Sequence, residues 1–203
     1  MFYIFCDIIT VVVVMKIGID IDDTLTSFSD IYYSELQKWL LKKGIIKYGD
    51  NILSKDVKDI SFDFKMFWNE CMLDIALNID CKNGASEIIN KLLSEGHEVY
   101  IITARSNNFF NNYIENTIEW LKKRNINYTD SYFNSNDKID VMKFLQLDVM
   151  IDDNKQVMDN VLDLNIRGII MNTMFNYDYN KCDRAYTWYD VYYYINEMKK
   201  NLT

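Results

Sequence analysis

The chain has no proline and a single histidine, His97, among its 203 residues. Without proline, element boundaries rest on six glycines and on shifts in hydropathy. One histidine and four scattered cysteines (Cys6, Cys71, Cys81 and Cys182) with no C-x-x-C spacing leave no zinc-type ligand set. Thiols in that pattern, with no secretory signal, fit a reducing cytoplasm better than a disulfide framework, so a cytoplasmic location is expected. No run of five like charges occurs, and the net charge is -8. A nucleic-acid polymer is therefore not an expected partner, since a polyanion binder needs a basic patch. Small anionic substrates stay open, because a local cation and lysine outweigh global charge.

The first 14 residues are apolar apart from Asp7, but they lack a basic n-region and a small-residue cleavage site. A membrane span of about 20 residues starting there would have to bury Lys16 and swallow the strand behind it, so no membrane partner is expected. Met15-Lys16-Ile17-Gly18-Ile19 reads as the natural start of a first core strand. Met15 is accordingly the expected initiator, with residues 1–14 an apolar N-terminal extension.

From Met15 onward, strands and helices alternate. Met15–Ile19 is a continuous apolar strand of the buried parallel kind. Phe28–Leu41 and Phe62–Leu77 carry apolar residues at helical spacing. A helix opens at Gly84 and stops at Gly96, and a strand runs from Glu98 to Thr103. Helix over Phe109–Lys123, strand over Tyr128–Phe133, helix from Lys138 and strand over Leu147–Ile151 come next. Helix over Lys155–Leu164, strand over Gly168–Met171 and a tyrosine-rich helix over Trp188–Met198, packed on the sheet, complete the chain. Such alternation predicts an α/β fold: a Rossmann-like parallel sheet with helices on both faces. The stretch 27–81 is too long for a simple crossover and reads as a small inserted helical cap. Residues 15–26 and 82–203 then form the catalytic core.

In open parallel sheets, ligands sit beyond the carboxyl ends of the strands. Polar residues collect at three of those ends: Asp20 and Asp22, Thr103, and Asp152 with Asp153. Carboxylates at the tip of a buried strand are costly without a cation or a shared proton. Lys138, at the start of a helix, adds one positive charge. Asp23 reads as a turn residue, Thr24 as a support for that turn, and His97 as structural. Arg105 is left open between orienting a loop and binding phosphate.

Asp20-Ile-Asp22-Asp23-Thr24, Thr103 within Ile-Ile-Thr-Ala-Arg, Lys138 and Asp152-Asp153 resemble the four ordered motifs of the haloacid dehalogenase-like superfamily. Within it, the Ile-Thr-Ala-Arg context and Met150-Ile151-Asp152-Asp153-Asn154 are most similar to cytosolic 5'(3')-deoxyribonucleotidase-like proteins. The turn Asp80-Cys81-Lys82-Asn83-Gly84 departs from that pattern in lacking a proline. The resemblance implies a magnesium-dependent phosphomonoesterase working through an aspartyl-phosphate, with a small phosphorylated metabolite, a nucleotide, as substrate. Asp20 is then the nucleophile and Asp22 the general acid and base. Thr103, the Ala104 amide at a helix entry and Lys138 bind the phosphoryl oxygens. Mg2+ is held by Asp20, the Asp22 carbonyl and Asp152, with Asp153 holding a metal-bound water. Phe28, Phe67 and Trp68 are the expected base-stacking residues of the cap. Three alternatives remain: a phosphatase of another small metabolite, a catalytically silent scaffold that keeps the fold, and a phospho-accepting receiver-type domain, although a receiver has its paired acids first rather than last.

Overall fold

The computed structural model describes residues 13–50, 52, 60–108 and 111–201. Residues 1–12 of the expected N-terminal extension, Cys6 among them, and the first two residues of the helix expected from Phe109 lie outside the described residues.

Among the described residues, six parallel strands form one sheet: β1 (Lys16–Ile19), β2 (Glu98–Ile102), β3 (Asp130–Tyr132), β4 (Val149–Asp152), β5 (Arg167–Met171) and β6 (Asp183–Ala185). Their order is β3-β2-β1-β4-β5-β6, so β1 is central and the winding reverses on either side of it. Ile19 pairs with Ile101 of β2 and Ile151 of β4, which brings Asp20, Thr103 and Asp152 to one edge. β6 was not expected from sequence.

Ile17 and Ile19 of β1 are fully buried, each contributing about 1.5–3 kcal/mol of transfer free energy. They face a core shared with α4 (Ala85–Ser94), α5 (Tyr113–Lys123) and α8 (Trp188–Lys200). The opposite face packs on α6 (Ile139–Leu145) and α7 (Lys155–Asp163). Gly18 faces that second side, where a Cβ would lie 2.6 Å from Leu147 Cδ1 and 2.7 Å from Met150 Sδ. A side chain there would collide with both. In α8 the core face is made by Trp188, Val191, Ile195 and Met198, whereas Tyr189 and Tyr193 are exposed. The expected amphipathic helix thus packs on the sheet, with Tyr192 and Tyr194 partly buried beside the apolar residues and their hydroxyls satisfied at the rim.

The inserted segment contains α1 (Phe28–Lys42), a short α2 (Phe64–Phe67), a π-helical turn (Trp68–Met72) and α3 (Leu73–Asn78). Asp63 caps α2 by accepting from the Met66 amide at 2.9 Å. The segment has an apolar cluster of its own around Leu36, Trp39, Leu40, Phe67 and Met72. Its two connections run side by side: Thr26 bridges Cys81, and the Lys82 amide donates to the Leu25 carbonyl at 2.7 Å. Gly84, at φ +82, makes the turn into α4.

Candidate active site

Asp20 ends β1 at the switch point of the sheet, its amide donating to the Ile151 carbonyl at 3.1 Å. Asp20 and Asp152 are both buried, at 7% and 1% exposure, and Lys138 is buried between them. Lys138 Nζ donates to Asp20 Oδ1 at 2.5 Å and to Asp152 Oδ2 at 2.6 Å. It arrives there from the N-cap of α6. Asp20, Asp152 and Asp153 place a carboxylate oxygen each within 4.8 Å of one another.

The charge balance of this cluster is unfavourable as it stands. Burial first, then Asp152 and Asp22, pushes the Asp20 carboxyl up to about 7 against the pull of Lys138. Asp153 is pushed up to about 9 by burial, then by Asp152 and Asp20. Burial opposes the charge on Lys138, but Asp152 and Asp20 outweigh it and hold the ammonium protonated. Three carboxyl groups facing one ammonium leave positive charge in deficit, and hard oxygen donors this close suit a hard divalent cation.

After Asp20 the chain turns back on itself, with the Leu25 and Thr26 amides both donating to the Ile21 carbonyl. Asp23 sits in that turn at φ 60, a conformation aspartate tolerates, and accepts from the Ser29 amide at 2.8 Å and from the Ser29 hydroxyl. The Thr24 carbonyl accepts from Trp188 Nε1 at 3.3 Å, which anchors the turn to the core. Asp22 points to the other side, where Arg105 grips both carboxylate oxygens.

Thr103 follows β2 and is buried; its Oγ1 accepts from the Arg105 amide at 3.3 Å. Ala104 lines a small apolar cavity of about 160 Å³ together with Asp22, Phe28, Trp68, Arg105 and Tyr113. The expected helix entry at Ala104 is corrected: α5 begins only at Tyr113, after Asn112 in the left-handed conformation. Residues 103–106 are irregular because backbone bonds tie them to the loop after β3, Ser135 N to Thr103 O and Asn134 N to Arg105 O. Phe28 and Trp68 share the cavity, with ring centroids 6.3 Å apart. Phe67 does not: it is fully buried within the apolar cluster of the inserted segment, packed edge-on against Tyr32 and Trp39. The structure therefore separates the aromatic pair that sequence had joined, because adjacent helical residues point about 100° apart. His97 lies at the far edge of the sheet, accepting from the Met15 amide at 3.0 Å.

Three residues of the neighbourhood were not expected. Lys82 Nζ donates to the Asp23 carbonyl at 2.5 Å and borders a larger polar cavity of about 600 Å³. Buried Asn176 donates to the Asp153 carbonyl at 2.7 Å, and Arg184 donates to Asn176 Oδ1 at 2.8 Å. Their only sequence signal is a polar side chain outside the apolar runs, which many solvated residues share.

The sequence profile of the family described as "5' nucleotidase, deoxy (Pyrimidine), cytosolic type C protein" matches residues 14–201. The chain belongs to this family. As a member it is a hydrolase of phosphoric monoesters with the haloacid dehalogenase-like fold. A protein of Oceanobacillus iheyensis, provisionally named a nucleotidase (OB0422), is 27% identical over 186 residues, covering 87% of this chain and 96% of its own. A second, from Bacillus cereus and likewise provisionally named, is 26% identical over 176 residues, covering 82% and 90%. Among solved structures, a haloacid dehalogenase-like hydrolase of Xanthomonas campestris superposes with a TM-score of 0.62 at 15% identity, covering 93% of this chain and 97% of its own. The haloacid dehalogenase-like protein SP0104 of Streptococcus pneumoniae gives 0.60 at 14%, covering 90% and 98%. At such identities these two likenesses speak for the fold.

Proposed function

We propose that the enzyme is a magnesium-dependent 5'-nucleotidase that works through an aspartyl-phosphate on Asp20. The observation that carries this reading is the Lys138 ammonium bridging Asp20 and Asp152 with Asp153 beside them. Asp20, Asp152, Asp153 and the Asp22 carbonyl are the groups that would hold the cation. When bound, it supplies charge neutralisation between a carboxylate nucleophile and a dianionic phosphate.

The chain's own groups then divide the work. Asp20 attacks phosphorus in line, forming the Asp20 Oδ–P bond as the bond to the ester oxygen breaks. Asp22 gives its proton to the departing alkoxide, then takes one from the water that attacks the phospho-aspartate and frees Asp20. Lys138 and the Thr103 hydroxyl stabilise charge on the phosphoryl oxygens. Lys138 is already placed to do so, since the same ammonium holds Asp20 in position.

The nucleotide reading draws on the family description and on the aromatic cavity next to Asp22. Phe28 and Trp68 offer the planar apolar walls on which a base stacks. A cytoplasmic location accords with the "cytosolic" of the family description; among the described residues, no helix is long and apolar enough to cross a membrane. A panel of phosphorylated metabolites, assayed for phosphate release with Mg2+, tests the substrate. Preference for deoxynucleoside monophosphates over sugar phosphates is expected, and equal turnover of both classes would remove the nucleotide claim.

A further inference from the structure

Arg105 is buried to 2% exposure, yet it lies outside the metal cluster and its charge is directed at one partner. Its Nε donates to Asp22 Oδ2 at 3.0 Å and its Nη2 to Asp22 Oδ1 at 2.6 Å. Two parallel bonds fix the plane of a carboxylate as well as its position, which a lone ammonium does not do. The guanidinium is itself held. Nη1 donates to Thr117 Oγ1 at 3.3 Å, and Cζ lies 5.2 Å from the Tyr113 ring and 5.6 Å from the Trp120 ring. All three belong to α5, which also receives the segment returning from the cap: Trp120 Nε1 donates to the Ile79 carbonyl at 2.8 Å.

We propose that Arg105 is the positioning residue for Asp22. Caged by α5, it aims the Asp22 carboxylate toward the ester oxygen and acts on the reaction only through that carboxylate. This rests on the reading of Asp22 as general acid.

The test compares kcat/KM, which reports events up to loss of the first leaving group, for two esters. Deoxyuridine 5'-monophosphate loses its nucleoside as an alkoxide that needs a proton, whereas p-nitrophenyl phosphate loses p-nitrophenolate, which leaves without one. Arg105→Met is expected to lower kcat/KM on the nucleotide by roughly 10- to 100-fold, as a misplaced catalytic group does, and to leave the aryl ester within about 3-fold. In an Asp22→Asn background, the same change is expected to have no further effect on either ester. Uniform loss on both esters, or loss that persists in that background, would place Arg105 on the phosphate or in the fold and overturn the proposal. Should Arg105→Met not fold, Arg105→Lys carries the same comparison, because it keeps the charge and loses the fork. If Asp22→Asn alone is not selective for the nucleotide, the reading of Asp22 fails and the proposal with it. If Asp22→Asn is selective and the Arg105 variants are not, only the proposal fails.

Discussion

Lys138 Nζ lies 2.5 Å from Asp20 Oδ1, a contact that spans 118 residues of chain. The same ammonium holds Asp152, so two buried carboxylates depend on one cation. Removing one partner of a buried pair typically costs about 3–5 kcal/mol, because the other charge stays buried and uncompensated. Lys138→Met is expected to lose activity at least 100-fold, roughly the cost of one charge-stabilising group, and to lower metal-free stability in urea titrations. Unchanged stability with EDTA present would mean that the ammonium does not carry this balance.

Metal dependence is expected to vary with pH in a defined direction. Asp20 and Asp153 release their protons near an ordinary value of 3.8 when unfolded, but only near about 7 and about 9 in the fold. Between those limits the unfolded chain binds fewer protons, so the metal-free protein loses stability as pH rises from about 4 through 7 toward 9. A bound divalent cation removes that cost by favouring the ionised carboxylates. The rise in Tm on adding Mg2+ is expected to be larger at about pH 8.5 than at about pH 6. A shift that is flat or larger at the acidic end would contradict the charge balance described for the cluster.

Phe67 and Trp68 are neighbours with opposite expected behaviour. Phe67→Ala is expected to destabilise by about 3–5 kcal/mol, through the cavity left in the cap cluster, seen as a lowered Tm or as early hydrogen exchange in α1. Trp68→Ala is expected to leave Tm nearly unchanged and to raise KM for the preferred nucleotide several-fold. The reverse pattern would reassign the two faces of this helical segment.

Much of the core was legible because its residues announce their own environment. Ile17, Ile19, Ile101 and Ile151 sit in short apolar runs, and each run ends at a polar residue, Asp20, Thr103 or Asp152, at the carboxyl end of the sheet. β6 was not legible: Asp183-Arg184-Ala185 has one apolar residue, and its strand character comes from pairing with Ile169, Ile170 and Met171. The expected helix entry at Ala104 fails for a related reason. Thr103-Ala104 could open a helix locally, but bonds to the loop after β3 hold the backbone elsewhere. That Asp20, Lys138 and Asp152 meet was legible because carboxylates at buried strand ends are costly unless a nearby cation or a ligand serves them. The grip of Arg105 on Asp22 was not, because it depends on how α5 folds back over β2.

Asp20 as nucleophile is the central claim. The direct measurement is peptide mapping by mass spectrometry of enzyme quenched in acid during turnover of p-nitrophenyl phosphate. A phosphoryl group on the peptide containing Asp20 is expected, absent from Asp20→Asn, whose steady-state turnover falls by roughly a thousand-fold or more with its fold intact. Retained turnover in Asp20→Asn, or a phosphoryl group trapped on a different residue, would contradict it.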